Sequence, residues 1–492
     1  METVVSIKPL LASLISLVAV IPIVMSGKRP NLREGWTFLA GVIKFGLIIS
    51  MLPVILAGGT IQYNLWQLMP GLAIAFKVDA MGMLFAIVAS TLWLATSAYS
   101  IGYMRSLNEH SQTRYFSFFA VALSATIGVA FAANLFTLYL FYEMLSLATY
   151  PLVTHHQDGE ARASGRKYLT YILGTSIGLV LPAMLIVFHL SGTLDFAGAG
   201  ILAGTTSKTV IIVLLLMFVF GFAKAGIMPF QGWLPAAMVA PTPVSALLHA
   251  VAVVKVGVFS IFRVLTFIFG VELLRTLDLG GVLCVIASIT ILVASLIALS
   301  QDGLKRRLAF STIGQLSYIV LGVALLSPSG LTGGLLHIAM HAFGKITLFF
   351  CAGAIFVATG KKNISDMVGI GKKMPVTMIA FLIGSMSVIG IPPTGGFISK
   401  WHLLLGTLEA NRIPMLVVLL SSSLLNAAYF LPVFYRAFFC TTEESMFEDK
   451  VVEAPMWCVA PLVMTATISM GLFFFPQPFL DLARLAVQSM GG

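Results

Sequence analysis

Charge is what this chain has least of. Of its 492 residues, 10% are Asp, Glu, Lys or Arg and 59% are hydrophobic, whereas a soluble domain carries about 25% charged residues. A soluble globular domain is excluded, and a multi-pass protein with the lipid bilayer as its surroundings is indicated. Cysteine is almost as scarce. Cys284, Cys351, Cys440 and Cys458 stand alone, with no C-x-x-C pair, which argues against a metal cluster or a disulfide framework. No G-x-G-x-x-G follows a strand, and there is no P-loop and no paired-histidine haem pattern. The sequence therefore predicts no cofactor and no metal site, and any driving force comes from a gradient or from partner subunits. Acidic residues number 19 against 29 basic ones, giving a formal charge of +10. The basic excess sits in short loops between apolar runs, which reads as membrane topology and not as a nucleic-acid surface. Met1 to Ser6 lacks the basic region of a cleaved signal, so the run from Leu10 to Met25 reads as a retained first span.

A helical span needs about 20 apolar residues, and by that rule the chain holds about 14 of them. Their extents are 8–26, 36–57, 80–101, 115–133, 135–154, 167–190, 209–237, 243–268, 279–300, 307–326, 331–358, 375–405, 414–437 and 456–476, with Asn134 as the turn between the fourth and fifth. The fold class expected is an all-α integral membrane protein. Alternate loops hold the cations: Lys28, Arg29 and Arg33; Arg105 and Arg114; Arg162, Arg166 and Lys167; Lys305 to Arg307; Lys361, Lys362, Lys372 and Lys373. The other loops hold little beyond Lys208, Arg275, Arg412 and Arg484. The positive-inside rule then puts both termini outside. The acidic loop 440–455 does not overturn this, because acidic residues count for little in the rule.

Two spans carry helix breakers in their middles. The seventh runs Lys224-Ala-Gly-Ile-Met-Pro-Phe-Gln-Gly232 with Pro235 beyond. The twelfth runs Gly390-Ile-Pro-Pro-Thr-Gly-Gly396 up to Lys400. Irregular backbone at membrane depth is tolerated only inside protein or along a water path. The breaks lie five spans apart, as expected for two five-helix repeats, and an odd number of spans inverts the second copy. The domains expected are a three-helix region 1–113, a first repeat 114–268, a second repeat 279–438, and a last helix with a tail 439–492. Proline and glycine that merely kink packed helices are the plainer account of each break.

Charged groups inside spans are costly, and they usually face protein interior or water. Glu143, Lys224, Lys255, Lys345 and Lys400 are such groups. A buried carboxylate standing alone keeps its proton, and a lysine beside it reverses that; Lys224 is the natural partner for Glu143. A static ion pair fixing helix register is the competing account. Lysine suits a relay where arginine does not, because burial can bring its titration towards neutrality while arginine stays charged. Lys255 could also snorkel or pair. His337, His341 and Lys345 recur every four residues and share a helix face, and histidine titrates near neutrality. The two histidines lack the glutamate and third ligand of a zinc site. His249 precedes Lys255 by six residues and, alone, reads equally as a satisfied structural histidine. Lys400 is the expected exit group, unless it only caps the break. Asp79 reads as interfacial, and Lys44 as a lysine that snorkels to the nearby surface.

The stretches Phe141-Tyr-Glu143-Met-Leu-Ser, Phe222-Ala-Lys224-Ala-Gly-Ile-Met-Pro-Phe-Gln-Gly-Trp233-Leu-Pro, Ala240-Pro-Thr-Pro-Val-Ser-Ala-Leu-Leu-His249 and Pro392-Pro-Thr-Gly-Gly-Phe-Ile-Ser-Lys400 resemble the antiporter-like subunits of respiratory complex I. The same family includes large subunits of Mrp cation/proton antiporters and of membrane-bound hydrogenases. The likeness covers at least residues 75 to 440. It implies fourteen helices in two inverted five-helix repeats, discontinuous helices 7 and 12, and a proton path. In that path Glu143 and Lys224 match the family's buried pair, Lys255 and His249 its central positions, and His337 and His341 its eleventh-helix histidines. Lys400 matches an outer position that is Lys in some members and Glu in others. Lysine there, together with Thr149-Tyr-Pro-Leu-Val-Thr-His155-His156, resembles the Mrp and hydrogenase branch, and the D subunit of Mrp in particular. The chain lacks the long lateral helix seen on one complex I subunit.

The function expected is proton translocation in a multisubunit cation (Na+)/proton antiporter in the plasma membrane of a prokaryote, with other integral membrane subunits as partners. Two alternatives stand beside it. One is a proton-pumping subunit of a redox complex, which neighbouring iron–sulfur subunits would reveal. The other is a self-sufficient solute carrier, which transport by the single chain would reveal.

Overall fold

The computed structural model describes residues 3–440 and 451–491. The acidic residues Glu443, Glu444, Glu448 and Asp449 lie outside the described residues. Eleven helical segments are long and apolar enough to cross a bilayer. They are α1 (Lys8–Met25), α2 (Pro30–Leu56), α3 (Ala80–Ser106), α4 (Gln112–Ala130), α6 (Gly159–Ser191), α8 (Thr242–Thr276), α9 (Gly280–Ser300), α10 (Leu304–Ala324), α11 (Pro328–Thr359), α14 (Ile413–Phe439) and α15 (Met456–Phe474). Between them lie α5 (Leu135–Val153), α7 (Lys208–Gly221), α12 (Pro375–Ile389) and α13 (Gly395–Glu409), and α16 (Gln477–Gln488) follows. Helices dominate for a simple reason: in hydrocarbon every backbone group must be satisfied within the segment.

The core forms around α8, which is apolar on all sides and buried along its length. Helices α3, α10 and α11 are mostly buried against it, while α1, α2, α14 and α15 keep exposed apolar faces. Helix α8 approaches the broken seventh segment without a spacer. A Cβ on Gly257 would lie 2.2 Å from the Ala225 nitrogen and 2.3 Å from the Lys224 carbonyl carbon. Gly257→Val is therefore expected to destabilise the fold by about 1–3 kcal/mol through overpacking against backbone that cannot retreat. A lowered thermal midpoint of the detergent-solubilised protein is the measurement.

Both expected breaks are present. Helix α7 stops at Gly221, a tight turn covers Ala223–Ala225, and Gly226 turns the chain at φ +68°. Side chains satisfy the freed backbone: Trp233 Nε1 donates to the Ala223 carbonyl at 2.9 Å, and Thr290 Oγ1 accepts from the Met228 amide at 3.3 Å. Helix α12 ends at Ile389, followed by Gly390 at φ +89°, the left-handed C′ position that glycine adopts without strain. A Cβ there would also sit 2.6 Å from Lys400 Cδ. The glycine leaves room for the lysine to lie across the helix end, where its Nζ donates to the Ile389 carbonyl at 2.9 Å.

The all-α expectation needs a correction. Strands β1 (Thr3–Val5), β2 (Thr60–Met69) and β3 (Leu72–Val78) form a three-stranded sheet, β1 parallel to β2 and β2 antiparallel to β3. The run between Gly59 and the Pro70-Gly71 turn is too polar for a span and alternates as a strand does. The tail 477–492 is also more ordered than expected. Helix α16 buries Phe479, Leu480, Ala483, Ala486 and Val487 on one face and packs on α3 and α11.

Asn134 acts as the expected turn, capping α5 through the Thr137 amide at 2.8 Å. Asp79 is more than interfacial. It caps α3 through the Gly82 amide, and both its oxygens take the guanidinium of Arg263, itself ringed by Phe196, Phe259 and Phe267. Lys44 does not snorkel: it is fully buried, donates to Ser16 Oγ at 2.6 Å, and lies 5.0 Å from the Trp93 ring centre. Glu453 from the acidic loop caps α12 through the Val376 and Thr377 amides.

The basic loops segregate. Lys305, Arg306, Lys361 and Lys362 line one cavity at one end of the molecule, while Arg275 and Arg412 line a separate hollow with Asp278 and Glu409.

Candidate functional site

Five elements bring the expected residues towards the centre. Helix α5 supplies Glu143, the broken segment Lys224, α8 His249 and Lys255, α11 His337, His341 and Lys345, and α13 Lys400. The order along the chain leaves no hint of how they meet; the packing of α8, α11 and α13 decides it.

A row of polar contacts runs from α8 to the second break. Lys255 Nζ lies 2.8 Å from His341 Nδ1. The His341 ring stacks on His337 at 5.6 Å between centres. Stacked rings share no hydrogen bond, so proton passage between them requires an intervening water. His337 is held on both nitrogens, with Gln315 Oε1 3.1 Å from Nε2 and Ser399 Oγ 2.9 Å from Nδ1. The Ser399 hydroxyl also reaches the Gly396 carbonyl at 3.1 Å, so it has two acceptors to rotate between. Beyond His337 the Tyr318 ring stacks at 5.5 Å, and Lys400 Nζ sits 4.7 Å over that ring. Lys400 also donates to Ser423 Oγ at 3.1 Å. The residues of the row are buried.

Lys345 points elsewhere. Its Nζ donates to Ser311 Oγ at 2.7 Å, which also receives Tyr429 Oη at 3.0 Å. His249 lies in a widened π-type turn, Leu247–Val251, against the Phe349 ring, and neither ring nitrogen has a hydrogen-bond partner. Such turns recur at functional sites because they open the helix ladder.

The expected Glu143–Lys224 contact is not made in this state. Lys224 Nζ donates instead to the Tyr142 carbonyl and lies 3.3 Å from the Tyr142 ring centre. Neither Glu143 oxygen has a hydrogen-bond partner. Among the described residues, Lys224, Lys255, Lys345 and Lys400 make no ion pair. A static buried salt bridge, the competing account, needs a facing opposite charge. Hydroxyls, carbonyls, imidazoles and ring faces surround these lysines instead. Most of those groups can accept a hydrogen bond from either the charged or the neutral amine.

Sequence reasoning missed several contributors. Ser311, Gln315 and Tyr318 recur at i, i+4 and i+7, one stripe on α10, and that periodicity was a usable signal. Tyr142 and Ser399 each adjoin a residue already singled out. Ser423 carried no signal of its own.

Comparison with known proteins extends the geometry. The family model described as "NADH:quinone oxidoreductase/Mrp antiporter, TM" matches residues 132–426, which include all eight residues singled out from the sequence. NADH-quinone oxidoreductase subunit N of Desulforudis audaxviator is 33% identical over 396 residues, 79% of this chain and 78% of that protein. A Na(+)/H(+) antiporter subunit of Alkalihalophilus pseudofirmus is 29% identical over 479 residues, 91% of this chain and 58% of that protein. Hydrogenase-4 component B of Escherichia coli is 30% identical over 420 residues, 80% of this chain and 61% of that protein. The chain thus spans less than two thirds of the last two. Its fold is shared with a chain of the Mrp complex from Dietzia sp. DQ12-45-1b, with TM-score 0.84, 23% identity, and coverage of 98% and 97% of the two chains. It is shared too with a chain of an archaeal membrane-bound sulfane sulfur reductase, with TM-score 0.88, 23% identity, and coverage of 99% and 98%. With more than half its length matched, and a relative at 33% identity along most of both chains, the chain is a member of the NADH:quinone oxidoreductase/Mrp antiporter transmembrane family.

Proposed function

We propose that this chain is the proton-translocating subunit of a multisubunit cation (Na+)/proton antiporter in a prokaryotic plasma membrane. The observation that carries the reading is the buried row from Lys255 through His341 and His337 to Lys400, built of titratable groups without counter-charges. In the proposed cycle protons arrive near Glu143 and Lys224, pass laterally by Lys255 and the histidines, and leave by Lys400. Charge separation between Glu143 and Lys224 biases the neighbouring lysines, and His249 and Lys345 act from beside the row. The proposal includes fourteen crossings, two inverted repeats over 114–268 and 279–438, and both termini outside, with the basic-loop end cytoplasmic.

A second reading has a specific observation behind it. The relative covered along most of both chains is named as a quinone oxidoreductase subunit. In that case the same row would be driven by redox chemistry in neighbouring subunits.

Purification of the native assembly, followed by transport in vesicles, tests both. Sodium-dependent proton flux with small membrane subunits is the expected result. Flux that needs an electron donor and iron–sulfur partners would replace the antiporter reading with the redox one. Proton flux by the isolated chain would overturn the multisubunit reading altogether.

A further inference from the structure

The basic-loop end holds a group of titratable side chains outside the row. Glu109 follows α3, and His155 and His156 follow α5. Glu109 Oε2 lies 3.6 Å from His155 Nε2 and 3.8 Å from His156 Nδ1. The exposed ring of His110 stacks flat on His155 at 4.8 Å. His155 is fully buried, yet neither of its ring nitrogens has a hydrogen-bond partner. Its backbone is pinned by Arg114, whose guanidinium donates to the His155 carbonyl at 2.8 Å. Beside the group opens a cavity of about 480 Å³, lined by Glu109, His156, Thr242, Lys305 and Ala352 among others. Thr242 and Ala352 belong to α8 and α11, the helices that carry Lys255 and His341.

We propose that Glu109, His110, His155 and His156 form a proton-collecting site at the mouth of this cavity. The site takes protons from water on the basic-loop face and releases them inward. The proposal rests on the proton-relay reading of the row. Each transfer moves one proton: a hydronium ion or buffer acid gives it to the exposed His110 or half-exposed His156, the imidazolium hands it to Glu109 or His155, and a cavity water receives it. Only N–H and O–H bonds form and break.

The surroundings suit this. Tyr103 and Tyr115 close the inner side, Asp158 and Glu160 stand on the rim, and Lys305, Arg306, Lys361 and Lys362 face them across the cavity. The acidic and imidazole side attracts protons, and the basic side discourages metal cations. Contact with His155, aided by His156 and His110, holds the Glu109 carboxyl below the usual range, and partial burial pushes the His156 imidazole down. A group that gives its proton up readily is suited to passing it on.

The test uses the native assembly in vesicles, with flux measured against pH on the basic-loop side at low and high imidazole. Glu109→Gln and His156→Gln are each expected to slow flux at low imidazole. Each should also move the pH of half-maximal rate by about one unit or more, the size of effect a close charged partner has. Added imidazole, a mobile proton donor, should restore the rate. Unchanged pH and buffer dependence would overturn the proposal, as would a loss that imidazole does not restore, because that marks a structural role. Should Glu109→Gln fail to assemble, His156→Gln on its half-exposed ring decides alone. The relay reading fails separately, if Lys224→Ala keeps wild-type flux.

Discussion

Lys224→Ala is expected to lower proton-coupled flux by about 100-fold or more, the scale of losing a positioned proton-transfer group, while the assembly stays intact. Assembly should survive because the lysine contributes no ion pair among the described residues. The Tyr142 carbonyl it leaves behind still accepts from Ser146 Oγ at 3.2 Å. The sharper variant is Lys224→Arg. It keeps the charge but cannot release a proton near neutral pH. A residue that only balances Glu143 electrostatically would tolerate arginine, whereas a relay residue would not. Glu143→Gln completes the set: its carboxylate has no hydrogen-bond partner to lose, so lost flux in that variant would come from the missing charge. Flux assays in vesicles, with subunit content checked by native gel, give the answer. Wild-type rates in an assembled Lys224→Ala variant would remove this pair from the mechanism.

How much of this is legible in the sequence depends on the range of the signal. Charges inside apolar runs stand out in any sequence, so Lys224, Lys255, Lys345, Lys400 and Glu143 are visible singly. The breaks are visible because proline and glycine act locally on the backbone. Contacts are not. Asp79 and Arg263 pair across 184 positions, and nothing in either neighbourhood announces the other. Lys44 reads as able to snorkel because its depth along the helix is legible while its facing is not; Ser16 and Trp93 lie on its buried side. The sheet escapes for a different reason. Hydropathy windows tuned to spans pass over the Thr60–Val78 hairpin, although its alternation and Pro-Gly turn are plain. The histidines of α11 do share one face, as their spacing says, but their partners Gln315 and Ser399 come from two other helices. Spacing within one helix predicts which side chains are neighbours on it and says little about what they meet.

The contact between Lys255 and His341 makes the second large prediction, because a path in series behaves differently from a set of independent helpers. If protons must cross this 2.8 Å contact, then Lys255→Ala and His341→Ala each stop flux, and the double variant is no worse than either alone. Independent contributions would instead multiply, so the two losses would add as free energies. The coupling should therefore be large for this pair. Lys345 supplies the comparison. Its ammonium is bonded to Ser311 and not to a histidine, so it influences the row through charge and not as a link in it. Lys345→Ala is expected to slow flux partially, and combining it with a variant that retains measurable flux, such as His156→Gln, should multiply the two losses. Multiplying losses for Lys255 and His341 would mean that protons have a second way round, and the row would then be one branch among several.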